Sequence, residues 1–197
     1  MHVWKRRLAK YSRWLHIYTS MTSFVIVFFF AVTGWTLNHA ERFSGREHTT
    51  RGTGTVDSAW TNSGSGAVRR DEIVDALRRA QHVSGAVTDF RADDDQVSIT
   101  FKGPGYSADA TIDRRTGKYE LTESRLGLVA IANDLHKGRD AGGAWKLVID
   151  VSAALLTFVS LTGLILIYFI HKHRLAGVIL VVAGGVLAGV LYMLAVP

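Results

Sequence analysis

The chain contains no cysteine among its 197 residues, and this absence excludes several kinds of chemistry at once. Without a thiol there is no disulfide framework, thiolate zinc site, iron–sulfur cluster, CxxCH haem attachment or cysteine nucleophile. Any metal must therefore be held by His, Met, Asp or Glu. No flavin or nicotinamide domain is recognisable either, so a redox function would depend on an external electron donor.

Apolar residues, by contrast, are abundant: 48% of the chain is hydrophobic, concentrated in three blocks around a polar middle. This distribution excludes an ordinary soluble globule. Residues 17–39, 145–171 and 176–197 are predicted to be transmembrane helices, because each can cross a hydrocarbon core of about 30 Å. A signal peptide is the alternative for the first block, but its apolar stretch is too long and no A-x-A-like site follows, which favours a retained anchor.

The distribution of charge predicts the orientation of these spans. Residues 1–16 carry five basic residues and no acid, and the turn at 172–175 is also basic, whereas residues 41–146 carry 16 basic and 16 acidic residues. The positive-inside rule places residues 1–16 and the turn in the cytoplasm of a bacterial inner membrane. Residues 40–144 and the C-terminus are then periplasmic. The basic composition thus indicates membrane topology and not nucleic-acid binding.

The polar middle predicts a small α+β domain between the first two spans of a membrane α-helical bundle. Residues 40–67 are rich in Gly, Ser and Thr and are interpreted as a flexible linker. Residues 68–123 are expected to fold as one helix on a three-stranded antiparallel sheet, and residues 124–144 as an interfacial segment containing a short helix or a turn.

Periodicity supplies the details of this domain. A helical stripe is formed by Ile73, Val74, Leu77 and Ala80. Three alternating stretches follow, at 87–92, 96–103 and 106–121, with turn signals at 93–95, 103–105 and 115–117. Residues expected to face inward include Val97, Tyr119 and Leu121.

Five of the eight histidines lie at the ends of the predicted spans. His16, His171 and His173 mark the cytoplasmic face, whereas His39 and His136 mark the outer face. His16 and His39 are separated by roughly 34 Å of helix, so each face has histidine from both of the first two spans. Neutral imidazole is a common axial ligand of haem iron. One or two b-type haems are therefore predicted, held by His39 with His136 outside and by His16 with His171 or His173 inside.

The choice between His171 and His173, and the role of every histidine, remain open at this point. His171 and His173 point in different directions, and His171 is favoured if Asp150 faces the bundle interior, as an intramembrane acid should. Asp150 itself is interpreted as either a proton-relay carboxylate or an interface residue near Lys146. The simplest alternative for every histidine is an interfacial residue that bonds only to headgroups or backbone.

Small residues in the spans agree with a cofactor or a close helix contact. Gly34 follows His16 by 18 residues, or five helical turns, so both lie on one helix face. A glycine there lets a flat macrocycle or another helix approach the backbone. The tripeptide at 32–34 (VTG) is matched by the tripeptide at 161–163 (LTG) in the second span.

An ordered set of short motifs covers nearly the whole chain apart from residues 44–66 and the third span. The motifs are Arg13-Trp14-Leu15-His16, Thr33-Gly34, Leu37-Asn38-His39, Ile112-Asp113, Thr116-Gly117-Lys118-Tyr119, Asp134-Leu135-His136-Lys137-Gly138 and Leu161-Thr162-Gly163-Leu164. Together they resemble the PepSY-associated transmembrane proteins in their short three-span form. His16, His39 and His136 match histidines of the family pattern, whereas His171 and His173 rest on topology alone.

The resemblance implies a function in electron transfer. Larger members of the family are associated with iron uptake and include inner-membrane reductases that bind haem b and reduce ferric siderophores outside. By this resemblance the chain would be such a reductase or a subunit of one. It would take electrons from a quinol or a cytoplasmic donor and deliver them to ferric iron in a chelate or siderophore.

A second hypothesis assigns the chain to another class. The middle would be a PepSY module that regulates or binds a periplasmic partner, as a peptidase inhibitor does, and the spans would tether it to the lipid bilayer without a cofactor. The histidines would then be interfacial, and the active surface would lie on residues 68–121. A third hypothesis is that the chain is an accessory subunit of a transporter, and only Asp150 supports it. None of the three predicts an oligomeric state.

Overall fold

The computed structural model describes residues 3–43, 47–61, 68–169 and 174–196. The chain divides into two compact units, one of residues 1–28 with 150–197 and the other of residues 29–149. The predicted ligands His171 and His173, and the first two residues of the predicted turn at 172–175, lie outside the described residues.

The elements follow one another in a simple order. They are α1 (Val3–Asn38), α2 (Ala40–Phe43), β1 (His48–Thr55), α3 (Ser58–Thr61), α4 (Arg70–Gln81), β2 (Ala86–Ala92), β3 (Gln96–Gly103), β4 (Tyr106–Asp113), β5 (Lys118–Arg125), α5 (Leu128–Lys137), α6 (Gly142–Phe169) and α7 (Arg174–Ala195).

Three of the described helices, α1, α6 and α7, are long and apolar enough to cross a membrane. The three predicted apolar segments are thus confirmed as helices, and their length and composition suit a membrane protein. α1 begins at Val3, well before the predicted start of the span at residue 17. The basic segment is helical as well, because Lys and Arg have high helix propensity and nothing in the segment interrupts the helix.

Within the first unit, the buried residues of α1 and α6 are small and polar. They are Ser12 and Ser23 on α1 and Ser152 and Thr162 on α6. Their small size lets two helix backbones approach closely, and a hydroxyl in an apolar environment can bond to a carbonyl of its own helix. Ser23, for example, donates to the Ser20 carbonyl at 2.9 Å.

The second unit contains one antiparallel sheet of five strands in the order β1-β5-β4-β3-β2. The prediction of three strands is wrong for two reasons. The alternating stretch at 106–121 is in fact two strands, β4 and β5, joined by the turn that follows Asp113. The other strand, β1, comes from the segment that was interpreted as a linker, and it pairs with β5 along its whole length.

The alternation of apolar residues does not reveal β1, because glycine occupies the inward positions of this strand. A Cβ on Gly52 would lie 2.5 Å from Gln81 Oε1, and a Cβ on Gly54 would lie 2.5 Å from the Tyr119 hydroxyl. The side chains of Gln81 and Tyr119, joined by a hydrogen bond of 2.9 Å, therefore fill the space that residues of β1 would otherwise occupy. A strand whose inward residues are glycines shows no hydrophobic alternation.

The core of this unit lies between α4 and one face of the sheet. Ile73 and Leu77 of α4 are fully buried with residues of β3 and β4, such as Phe101 and Ile112. The inward positions predicted from alternation, at Val97, Tyr119 and Leu121, are likewise confirmed as buried.

One residue of the predicted helical stripe does not belong to the core. Ala80 is exposed, although Ile73, Val74 and Leu77 are buried as predicted. Ala80 lies in the last turn of α4, where the longer side chain of Gln81 covers the sheet at Gly52 instead.

The turn between β4 and β5 is held by a carboxylate. Asp113 Oδ1 accepts hydrogen bonds from the backbone N–H and the hydroxyl of Thr116 and from the backbone N–H of Arg115. These hydrogen bonds, led by those from Thr116, lower the pKa of Asp113 below its ordinary value. Gly117 closes the turn with a φ of +68°, a conformation for which glycine is suited because it has no Cβ.

Candidate functional site

His16 contacts α6 through its Nδ1 atom. That nitrogen lies 3.0 Å from Thr162 Oγ1 and 3.2 Å from the Val159 carbonyl oxygen. The Thr162 hydroxyl donates its own hydrogen to the same carbonyl at 2.9 Å, so its oxygen is left to accept. Because both neighbours of Nδ1 then accept, Nδ1 must carry the hydrogen, and Nε2 of the neutral ring keeps a free lone pair.

His136, on α5, repeats this arrangement against α1. Its Nδ1 lies 2.7 Å from Thr33 Oγ1, and the Thr33 hydroxyl donates to the Phe29 carbonyl at 2.6 Å. With the hydroxyl hydrogen on the Phe29 carbonyl, the threonine oxygen is left to accept, and this arrangement predicts that His136 carries its hydrogen on Nδ1. The ring of Phe30 meets the imidazole edge to face at a centroid distance of 5.1 Å.

A glycine follows each of these threonines and makes room for the imidazole. A Cβ on Gly34 would lie 3.4 Å from His136 Cε1, and a Cβ on Gly163 would lie 3.1 Å from His16 Cε1. The matched tripeptides therefore form two equivalent contacts, which we call Thr-Gly notches: Thr33-Gly34 receives His136 and Thr162-Gly163 receives His16. The group that approaches Gly34 is therefore the imidazole ring of His136, a residue of helix α5.

His39 lies just beyond the C-terminal end of α1 and is partly exposed. Its Nδ1 lies 3.0 Å from the Trp35 carbonyl oxygen, which can only accept, so this ring also carries its hydrogen on Nδ1. The Trp35 ring stands beside it at 5.3 Å. Within the described residues no hydrogen bond or ring contact joins His39 to His136, and no group of three or more His, Cys, Asp or Glu side chains gathers as a metal site.

Three further hydrogen bonds hold α5 in place. Thr36 Oγ1 donates to Asn133 Oδ1 at 2.8 Å, the Gly105 backbone N–H donates to the Asp134 carboxylate at 2.8 Å, and Trp145 Nε1 donates to the Leu135 carbonyl at 2.8 Å. Asn133 was not singled out from the sequence, and Asp134 was noted only within a family motif. In the sequence, the signal that points to them is an amide and an acid three and two residues before a predicted ligand histidine.

Asp150 lies at the surface of its unit, and its two interpretations, a proton-relay carboxylate and an interface residue near Lys146, stay predictions. It is exposed on α6, and the ion pairs among the described residues all lie between residues 69 and 125, so none joins it to Lys146. The preference for His171 over His173 rested on an inward-facing Asp150 and loses that support.

The tautomers of these histidines give a direct prediction. In protein labelled with ¹⁵N-histidine, His136 should carry its hydrogen on Nδ1, and Thr33→Val should move it to Nε2. The hydrogen bond to Thr33 favours the Nδ1–H tautomer by about 1 kcal/mol. Its loss should therefore make the Nε2–H tautomer the more populated one. The ¹⁵N chemical shifts of the two ring nitrogens, recorded in detergent micelles, distinguish these states.

Thr157→Val is the matched control for this experiment, because the Thr157 hydroxyl donates only to the Ala153 carbonyl of its own helix. It should leave every histidine signal unchanged. An Nε2–H tautomer for His136 in the unmodified protein would contradict the assignment.

Comparison with known proteins supports the motif resemblance. No curated protein and no solved structure matches the chain. A family model for PepSY_TM-like proteins matches residues 10–197, which include all three apolar helices, the sheet and both Thr-Gly notches. The resemblance predicted from the motifs is thereby confirmed, and the chain belongs to the PepSY_TM-like family.

Proposed function

We propose that this protein is an inner-membrane b-type haem protein that passes electrons across the membrane to ferric iron or a ferric siderophore outside. One observation carries the proposal: Nδ1 of each of His16, His39 and His136 lies within hydrogen-bond distance of a protein oxygen that can accept from it. When it binds a metal, each of these rings has Nε2 as the available atom.

This arrangement is the one that an axial haem ligand needs. A hydrogen bond from Nδ1–H fixes the tautomer and the ring orientation and makes Nε2 a stronger donor to the metal. The donor set therefore fits a haem iron. His39 and His136 would hold the outer group, and His16 with His171 or His173 would hold the inner one. Bound haem supplies a centre that accepts and releases single electrons.

The other residues of the two Thr-Gly notches have supporting roles in this proposal. Thr33 and Thr162 keep the imidazoles in the required tautomer, and Gly34 and Gly163 let the rings lie close to the helix backbone. The apolar helices around them keep water away, which raises the reduction potential of a haem. Electrons would enter from a quinol or from a cytoplasmic partner.

A second candidate function has its own observation. No described helix covers the sheet face opposite α4, which carries the exposed residues Thr53, Glu120 and Thr111 side by side on neighbouring strands. A hollow of about 590 Å³ lies there, with Lys118 also in its lining. A polar surface of this kind suits a periplasmic protein partner, as the regulatory PepSY hypothesis requires.

An absorption spectrum separates the two candidates. Protein made with ample haem supply and purified in detergent should show a Soret band that shifts on reduction with dithionite, together with sharp α and β bands of low-spin haem b. A pyridine haemochrome assay should give a haem-to-protein ratio near two if both histidine pairs bind. Mixing the reduced protein with a ferric chelate should restore the oxidised spectrum. Colourless protein would end the electron-transfer proposal and leave the uncovered sheet face as the place to look for function.

A further inference from the structure

A groove runs beside the N-terminal part of α1 in the first unit. It has a volume of about 590 Å³ and lies between α1 and Phe169 of α6. Three cations on α1 line it, namely Arg6, Lys10 and Arg13, and all three are exposed. Their spacing of four and three residues places them on one stripe of the helix, one above another.

Among the residues that the structure describes, these charges have no acidic partner. The chain contains no acidic residue before Glu41 and none after Asp150, so Asp150 is the sole acidic side chain of the first unit. The ion pairs of the described residues lie elsewhere, between residues 69 and 125. Like charges at this spacing repel one another and destabilise the helix. A bound anion would remove that repulsion.

The remainder of the groove is apolar. Ile17 and Phe169 line it, and the rings of Trp14 and Tyr18 stand together at one side, with centroids 5.0 Å apart. An adjoining apolar hollow of about 320 Å³ shares Phe169 and is lined otherwise by α1 and α6 residues such as Leu8 and Ile165. A small inorganic anion would use the cations but leave this apolar surface without a ligand.

We propose that the groove is a binding site for an anionic phospholipid. The phosphodiester lies among Arg6, Lys10 and Arg13, and an acyl chain lies along Ile17 and Phe169. Trp14 and Tyr18 sit at the level of the headgroup, where aromatic residues with a polar end are favoured in a bilayer. Charge complementarity selects the anionic headgroup, and the apolar part of the groove selects a lipid over a free phosphate.

Native mass spectrometry of the full chain in detergent tests the site. The probes are phosphatidylglycerol, phosphatidylcholine with the same acyl chains, and inorganic phosphate. Phosphatidylglycerol should bind most tightly, and Lys10→Gln with Arg13→Gln should weaken its binding roughly 30-fold, as expected for the loss of two surface cations. The matched control, Arg51→Gln with Lys102→Gln, removes the same charge from the sheet and should bind as the unmodified protein does.

A second measurement needs no change to the cations. Phosphatidylglycerol with brominated acyl chains should quench tryptophan fluorescence more than brominated phosphatidylcholine does, and Trp14→Phe should remove most of that difference. Equal binding of the two lipids, equal effects of the two double variants, or competition by inorganic phosphate at the concentration of the lipid would each overturn the proposal.

Discussion

Replacing His136 with alanine is expected to remove the outer haem, leave the inner one in place and so halve the haem content of the protein. Thr33 holds the His136 imidazole with Nε2 available, and alanine provides neither a ligand for the iron nor a donor for the Thr33 oxygen. A haem iron that loses one of two axial histidines becomes high-spin or leaves the protein. The haemochrome ratio and the reduced α band measure the outcome.

Companion variants make this result specific. His39→Ala should give the same spectrum as His136→Ala, because the two are proposed to share one iron. His16→Ala should remove the other haem. His48→Ala makes the same chemical change on strand β1, at a histidine that is not a proposed ligand, and should keep the full haem content. Retention of both haems in His136→Ala, in protein with unchanged helix content, would refute the assignment of the outer pair.

Gly117→Ala is expected to destabilise the sheet by about 2–4 kcal/mol. Gly117 has a φ of +68°, and a Cβ there would overlap the Val56 carbonyl oxygen, which is part of the backbone and cannot rotate away. A left-handed conformation costs a residue with a side chain about 1–3 kcal/mol, and the overlap adds to that cost. Much of the stability of a small domain would be lost.

Hydrogen exchange measures this effect strand by strand. Amides of β4 and β5 should exchange faster in Gly117→Ala by a factor of roughly 30 to 1,000, the equivalent of that free energy, provided they exchange through unfolding of the sheet. Gly143→Ala is the matched control, because nothing lies within 4 Å of the position that its Cβ would occupy. Equal protection in the two variants would show that the turn tolerates a side chain.

The elements that could be predicted from the sequence are those with a periodic signal. Hydropathy located the three spans, and alternation located the strands from β2 to β5, although β4 and β5 were counted as one stretch. β1 has glycine where alternation requires apolar residues, so its position depends on Gln81 and Tyr119, which lie far along the chain. The position of such a strand is determined by the residues that pack against it and not by a pattern in its own sequence.

The candidate site was predictable only in part. The positions of His16, His39 and His136 at span ends follow from the sequence, and so does the repetition of Thr-Gly. Which histidine enters which notch does not follow, because the contacts join residues more than a hundred positions apart. The choice of His171 over His173 stays a prediction, because both histidines lie outside the described residues and the exposed Asp150 does not indicate the direction of the bundle interior.

The attachment of α5 restricts how this protein can vary. Within four consecutive positions, Asn133 bonds to Thr36, Asp134 bonds to the turn at Gly105, and His136 bonds to Thr33. Each side chain bonds to a different partner residue. A single second substitution therefore cannot restore the hydrogen bonds that are lost when more than one of these positions changes. In a library of randomised α5 sequences, selection for a stable sheet and selection for a correctly held histidine would therefore recover the same residues.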